Sequence, residues 1–250
     1  MGLFRGFVMA LGMFSIIPVP KNSWNDKYTP VVIPSLPLAG ALLGLIWFGL
    51  SYALSALSAP PMILSASILF IPFILTGFIH ADGYIDAADA VFSRRDLDEK
   101  KRILKDPHLG AFAVIAVIGL FILQFSAVYT IVGAQKPLLT FVFILVISRC
   151  VAGVAMLNLK PVFETGYNAA FRAGTKPRHT LFICLLAFVG LTAAWFISGA
   201  AALFPLLAGA LAGVAAVVYL YRQFHGISGD LSGCVITIGE FAALLCMALL

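Results

Sequence analysis

Charge is the scarcest commodity in this sequence: Asp, Glu, Lys and Arg make up only 11% of 250 residues. Soluble domains carry about 25% charged and about 45–50% apolar residues, whereas the apolar share here is 62%. So few polar side chains could not cover a water-facing surface, which excludes a soluble globular domain and makes lipid the solvent for most of the chain. Cysteine is sparse as well. Its four copies (Cys150, Cys184, Cys234, Cys246) lie inside apolar stretches with no CxxC pair, so a disulfide framework and a thiolate metal knot are excluded. The formal charge of +5 is not gathered on a soluble patch, which excludes nucleic acid as a partner. No internal repeat or low-complexity tract divides the chain, and residues 1–250 read as a single membrane-embedded domain.

What is present in abundance is long apolar runs. A bilayer core of about 30 Å takes roughly 20 apolar residues as helix, and on that basis spans fall near 38–57, 62–80, 109–133, 138–158, 180–198, 201–221 and 232–250. The fold class is therefore all-α: a polytopic integral membrane helical bundle with about seven transmembrane helices. The opening run MGLFRGFVMALGMFSII has one Arg and no small-residue cleavage site, and is expected as an uncleaved interfacial or partly inserted helix. Alternating the spans sorts the loops into two sets. The set 21–30, 93–108, 159–179 and 222–231 carries 13 of the 16 Lys and Arg; the set 58–61, 134–137 and 199–200 carries only Lys136. Positive residues accumulate on the cytoplasmic side, so the first set is expected there, in a multi-pass protein of the cytoplasmic (inner) membrane surrounded by lipid. The other face is nearly featureless, which favours an enzyme acting on cytosolic substrates over a transporter.

The most informative stretch is TGFIHADGYIDAADAVFSRRD, 76–96. Asp82, Asp86 and Asp89 are spaced i, i+4, i+7 and fall within an arc of about 60° on a helix. Three carboxylates on one stripe repel one another unless something positive joins them. A hard divalent cation meets that need, since Mg²⁺ typically takes one or two carboxylates plus substrate phosphates; the plainer alternative is a solvated interfacial face. Gly83, Ala87 and Ala90 form an adjoining strip of small residues with room for a substrate or a close helix. Arg94, Arg95, Arg102 and Lys105 follow, in a loop that suits a polyphosphate substrate and equally reads as purely topogenic. In HGISGDLSG, 225–233, Gly229 lets the backbone approach a phosphate at a helix start, while Asp230 reads as an N-cap or a further metal ligand. Two charges lie within apolar spans, Arg149 and Glu240. Counted from the expected span ends their depths are about 13 and 12 Å, so they are expected to pair or to contact the substrate.

These residues describe a membrane-embedded, metal-dependent transfer of a phosphate-linked group. They also resemble a known family, the cobalamin synthases (adenosylcobinamide-GDP ribazoletransferases). IHADGYIDAADA at 79–90 is similar to that family's His-x-Asp-Gly-x-x-Asp-x-x-Asp signature, and KRILKDPHLGAFAVIA at 101–116 to its Lys-Asp…Gly-Ala-Phe segment. GISGDLSG at 226–233 with Glu240 resembles its closing element, and MFSIIPVP at 13–20 and PLAGALLG at 37–44 resemble its opening ones. The chain departs from the pattern at Ile16, Ala90, Pro107-His108 and Thr237.

The resemblance implies the last assembly step of cobalamin biosynthesis. Adenosylcobinamide-GDP and α-ribazole, or its 5′-phosphate, would give adenosylcobalamin, or its phosphate, with GMP release. It implies Mg²⁺ as cofactor, held by Asp82 and Asp86 with Asp89 alongside, and a hydroxyl proton taken by Asp89 or His80. His80 lies about 160° from Asp82 on an ideal helix, so it joins the site only if the helix breaks near Gly83; otherwise it is a supporting or interfacial residue. A homo-oligomer stays open. Two other readings of the same aspartates are a CDP-alcohol phosphotransferase and a cation-coupled transporter. The first lacks its Asp-Gly-x-x-Ala-Arg pattern, because Asp82-Gly83 is followed by Tyr84-Ile85-Asp86-Ala87.

Overall fold

Proline and glycine punctuation sets most helix ends, and the apolar runs between them leave the backbone no partner in lipid but itself. The structure, a computed structural model, describes residues 2–57, 59–164 and 167–250. Met1 of the expected N-terminal helix, Ser58 in the 58–61 connector, and Thr165 and Gly166 in the 159–179 segment lie outside the described residues. In chain order the helices are α1 (Gly2–Phe14), α2 (Val32–Ser55, entered through a 3-10 turn at Asp26–Val31), α3 (Pro61–Leu75), α4 (Ile79–Phe92) and α5 (Leu97–Ile103). There follow α6 (Ala111–Gly133), α7 (Thr140–Asn158), α8 (Tyr167–Arg172), α9 (Pro177–Ser198), α10 (Leu203–Phe224) and α11 (Gly229–Leu249). Pro61 and Pro177 occupy first-turn positions, where the missing N–H costs nothing.

Among the described residues six helical segments are long and apolar enough to cross a membrane: 26–55, α6, α7, α9, α10 and α11. The seventh expected span is not one helix. Over 62–80 the chain leaves α3 at Leu75, turns through Gly77 (φ 59°) and Phe78 (φ 62°), and resumes as α4 at 89° to α3. Only together do α3 and α4 have the length and apolarity of a span. The protein is thus a polytopic helical membrane bundle with one broken element.

The bundle is built around α7, which is buried on nearly every side. Glycines allow the close approaches: a Cβ on Gly44 of α2 would lie 2.7 Å from Val142 Cα, and one on Gly209 of α10 would lie 2.7 Å from the Gly239 carbonyl oxygen of α11. Trp47 stacks on Phe141 at 4.1 Å and donates its indole N–H to the Ile68 carbonyl at 2.8 Å, which ties α2, α3 and α7 together. The outer faces of α9 and α10 present Phe188, Phe196 and Leu211 to lipid. The helix α1 is neither free nor spanning: Ser35 of α2 donates to the Leu3 carbonyl at 3.4 Å, and Gly6 sits against Val31.

The long connectors meet at one end of the bundle. Pro30 lies against Gly174; Lys105 Nζ lies 3.7 Å over the Phe163 ring; Pro161 and Ile227 form a backbone bridge, with Val162 N–H donating to the Ile227 carbonyl at 3.0 Å; Gly83 abuts Asp230. The loops sorted together by charge therefore share one face.

Candidate active site

The break at Gly77-Phe78 is what puts the aspartates where they are. With α3 stopped and the chain turned, α4 runs unbroken from Ile79 and lays its small-residue strip on the start of α11. A Cβ on Gly83 would strike the Asp230 backbone, with Cα at 2.9 Å, and one on Gly233 would lie 3.2 Å from His80 Cα. Thr237 Oγ1 donates to the His80 carbonyl at 3.0 Å. The strip Gly83, Ala87, Ala90 is therefore occupied by a helix, and the substrate does not lie on it.

That contact brings a fourth carboxylate to the row. Asp86 lies within electrostatic range of Asp82, Asp89 and Asp230. Asp82 is exposed, Asp86, Asp89 and Asp230 are partly buried, and the Asp89 carboxylate is pressed against Gly110 at the head of α6. The N-cap of α11 is Ser228, whose hydroxyl accepts from Leu231 N–H at 3.2 Å; Asp230 is the second residue of the helix and is not the cap. Gly229, the first residue, is exposed. Among the described residues no ion pair engages any of the four carboxylates.

Among the described residues no three His, Cys, Asp or Glu side chains converge closely enough to cage an ion by themselves. The donor set is nevertheless all-oxygen, uncompensated and spread over two helices. That fits a Mg²⁺ site completed by water and substrate phosphates, and does not fit an all-protein cage.

The basic residues divide. Arg94 and Arg95 at the end of α4 are exposed. Arg102 is already engaged by Glu99, at 2.7 and 2.8 Å, and by Asp106 at 3.4 Å, and its guanidinium holds the Glu99 carboxyl below the usual range. Asp106 is lowered too, chiefly by hydrogen bonds from His108. Lys105 is spent on the Phe163 ring.

Deeper in the bundle, Arg149, 1% exposed, pairs with Glu240 and also donates to the Leu145 carbonyl (3.1 Å) and to Ser148 Oγ (3.0 Å). Ser148 in turn donates to Glu240 at 3.0 Å. His80 is buried on this inner side, its Nδ1 3.5 Å from Arg149 Nη2. Because α4 breaks before Ile79 and not near Gly83, His80 faces the bundle interior while Asp82 faces the open rim. Ser148 carried no signal in the sequence, and Gly110 stood out only within the Gly-Ala-Phe resemblance; their roles depend on which helices meet.

A row of unpaired carboxylates at one rim of a broken-helix bundle defines a class: polytopic α-helical membrane proteins with an acidic site on one face. Within it, the family described as cobalamin-5-phosphate synthase matches residues 6–248, and the chain belongs to that family. It is similar to adenosylcobinamide-GDP ribazoletransferases of Clostridium perfringens (32% identical, 99% of this chain and 98% of the relative) and Clostridium botulinum (36%, 97% and 96%). That of Geobacillus thermodenitrificans is 32% identical over 95% of this chain and 93% of its own length. No solved structure matches. Membership decides against the CDP-alcohol phosphotransferase and transporter readings.

Proposed function

We propose that this protein is an adenosylcobinamide-GDP ribazoletransferase that joins adenosylcobinamide-GDP to α-ribazole, or α-ribazole 5′-phosphate, and releases GMP at the cytoplasmic face of the inner membrane. The observation that carries the reading is the uncompensated row Asp82, Asp86, Asp89 and Asp230, set on the α4–α11 contact in a chain of this family. A ribose hydroxyl oxygen forms the new bond to the phosphorus attached to cobinamide, and the bond from that phosphorus to GMP breaks. Asp89, the third carboxylate of α4, accepts the hydroxyl proton. Asp82 and Asp86 would hold Mg²⁺, which when bound supplies positive charge to the pyrophosphate oxygens. Arg94 and Arg95 stand at the end of α4 to pair with the remaining phosphate charge, and the start of α11 at the exposed Gly229 offers a second anion contact.

The test is GMP release from adenosylcobinamide-GDP by the detergent-purified chain in Mg²⁺, with and without α-ribazole. Release that depends on both supports the reading, and no release under either condition removes it. Chelation should abolish the activity and added Mg²⁺ restore it.

A further inference from the structure

Beside Asp82 lies a cavity that the scheme above leaves without an occupant. It has a volume of about 460 Å³ and opens between the end of α1 with the residues that follow it, Met13 and Ile16, and the α3–α4 break, with Gly77, Phe78 and Ile79; Asp82 is among the residues that line it. Its walls are held in place. Ile16 N–H donates to the Leu75 carbonyl at 2.9 Å, and the Phe78 ring stacks against Phe73 at 6.4 Å. Phe78 is also fixed in the left-handed backbone region, where a bulky side chain is rare and costs strain.

Three apolar side chains stand open on a surface that is otherwise mixed: Ile16 is 57% exposed, Phe78 45% and Ile79 40%. The two wall hydroxyls already donate within their own helices or turns, Ser15 to the Leu11 carbonyl at 2.6 Å and Thr76 to the Pro72 carbonyl at 2.9 Å. Among the wall side chains the Asp82 carboxylate is the charged acceptor, open to a hydrogen bond from a ligand hydroxyl. A cavity of this size suits a small ligand with an aromatic body and a hydroxyl at one end. A corrinoid carrying a guanosine diphosphate is far too large for it, whereas a bicyclic base on a ribose is of the right scale.

We infer that this cavity is the acceptor subsite, taking the base of the ribazole nucleoside between Ile16 and Phe78 and directing its ribose toward Asp82 and the carboxylate row. Ile16 then determines acceptor affinity and the breadth of base that is accepted. The inference rests on the proposed activity for the identity of the nucleoside, and its test separates the two. Equilibrium dialysis measures α-ribazole binding to the full chain in detergent, alongside KM for α-ribazole and for adenosylcobinamide-GDP.

Ile16→Trp should fill the cavity and weaken α-ribazole binding and raise its KM by about tenfold or more, with the donor KM within about twofold of the parent. Ile16→Ala, which only removes exposed side chain, should narrow the KM difference between α-ribazole and an analogue with a larger base. Equal rises in both KM values, or unchanged α-ribazole binding in Ile16→Trp while GMP is still released, would overturn the subsite and leave the activity standing. Binding of α-ribazole that Ile16→Trp abolishes, in a chain that releases no GMP, would overturn the activity and leave the subsite standing. Absence of α-ribazole binding in the parent chain overturns the subsite outright.

Discussion

Glu240→Gln tests the buried polar centre most directly. The substitution keeps shape and removes charge from a partner that is 13% exposed, opposite an Arg149 that is 1% exposed. What remains to Arg149 is the Leu145 carbonyl, Ser148 Oγ and the His80 ring, none of them an anion, so the guanidinium stays buried without a counter-charge. Breaking a buried pair in this way costs about 3–5 kcal/mol. Arg149→Met should fall at the lower end of that range, because the stranded carboxylate keeps the Ser148 hydroxyl. In the double variant no charge is buried and the remaining cost is an imperfectly paired amide, about 1–3 kcal/mol. At about 2–4 °C per kcal/mol the single variants should melt roughly 6–20 °C below the parent. The double should lose at least ~3 kcal/mol less than the two singles added together. Thermal unfolding followed by tryptophan fluorescence in one fixed detergent measures all four species. Additive losses across the cycle would refute the pairing and leave Glu240 to be explained by contact with substrate.

Asp82→Ala and Asp86→Ala should each lower turnover by about 100-fold or more while the protein still inserts and extracts, since each loses one oxygen ligand that water replaces poorly; full activity of both in Mg²⁺ would remove the metal assignment. Gly229→Val, at the exposed first residue of α11, should raise KM for the GDP-bearing substrate by about tenfold, and unchanged kinetics would reduce that turn to a connector. Because Glu99 and Asp106 already hold Arg102, Arg102→Gln should change the donor KM by less than about threefold, whereas Arg94→Gln should raise it by about tenfold; the reverse order would show that the α5 ion pairs open on substrate binding.

How far the sequence alone reaches is clearest at these same residues. Helix period put Asp82, Asp86 and Asp89 on one stripe, and the structure keeps them there because α4 is regular over that length. Depth counting matched Arg149 with Glu240, since a bilayer gives every span a common ruler. What escaped is whatever depends on adjacency or on a break. Apolar residues run on through Leu75 to Ile79, so hydropathy reads 62–80 as continuous; only Gly77 hints at the turn, and a left-handed Phe78 has no compositional signature. The strip Gly83, Ala87, Ala90 announced that something comes close without saying what. Asp230 reads from sequence as a cap or a metal ligand; Ser228, two residues earlier, takes the cap because its hydroxyl accepts from Leu231 N–H, which leaves the Asp230 carboxylate to the row. The engagement of Arg102 by its own helix neighbours was readable from Glu99 and Asp106 at i−3 and i+4, a spacing that charge counting for loops passes over.

The packing of α4 on α11 fixes when the site can come into being during synthesis. Thr237 and His80, which join the two helices, are 157 residues apart in the chain, so α4 leaves the ribosome long before its partner exists. Until α11 is made and inserted, the glycine–alanine strip lies bare and Asp82, Asp86 and Asp89 lack their neighbour Asp230. The nascent chain must hold a short helix rich in carboxylates at the membrane edge, backed only by its early neighbours such as α6, through the insertion of the spans that precede α11. Long-range closures of this kind are slow steps in folding and the points at which intermediates are lost. The final helix thus serves as a clasp for the acidic row, and chains that stop before it carry the aspartates without the surface that arranges them.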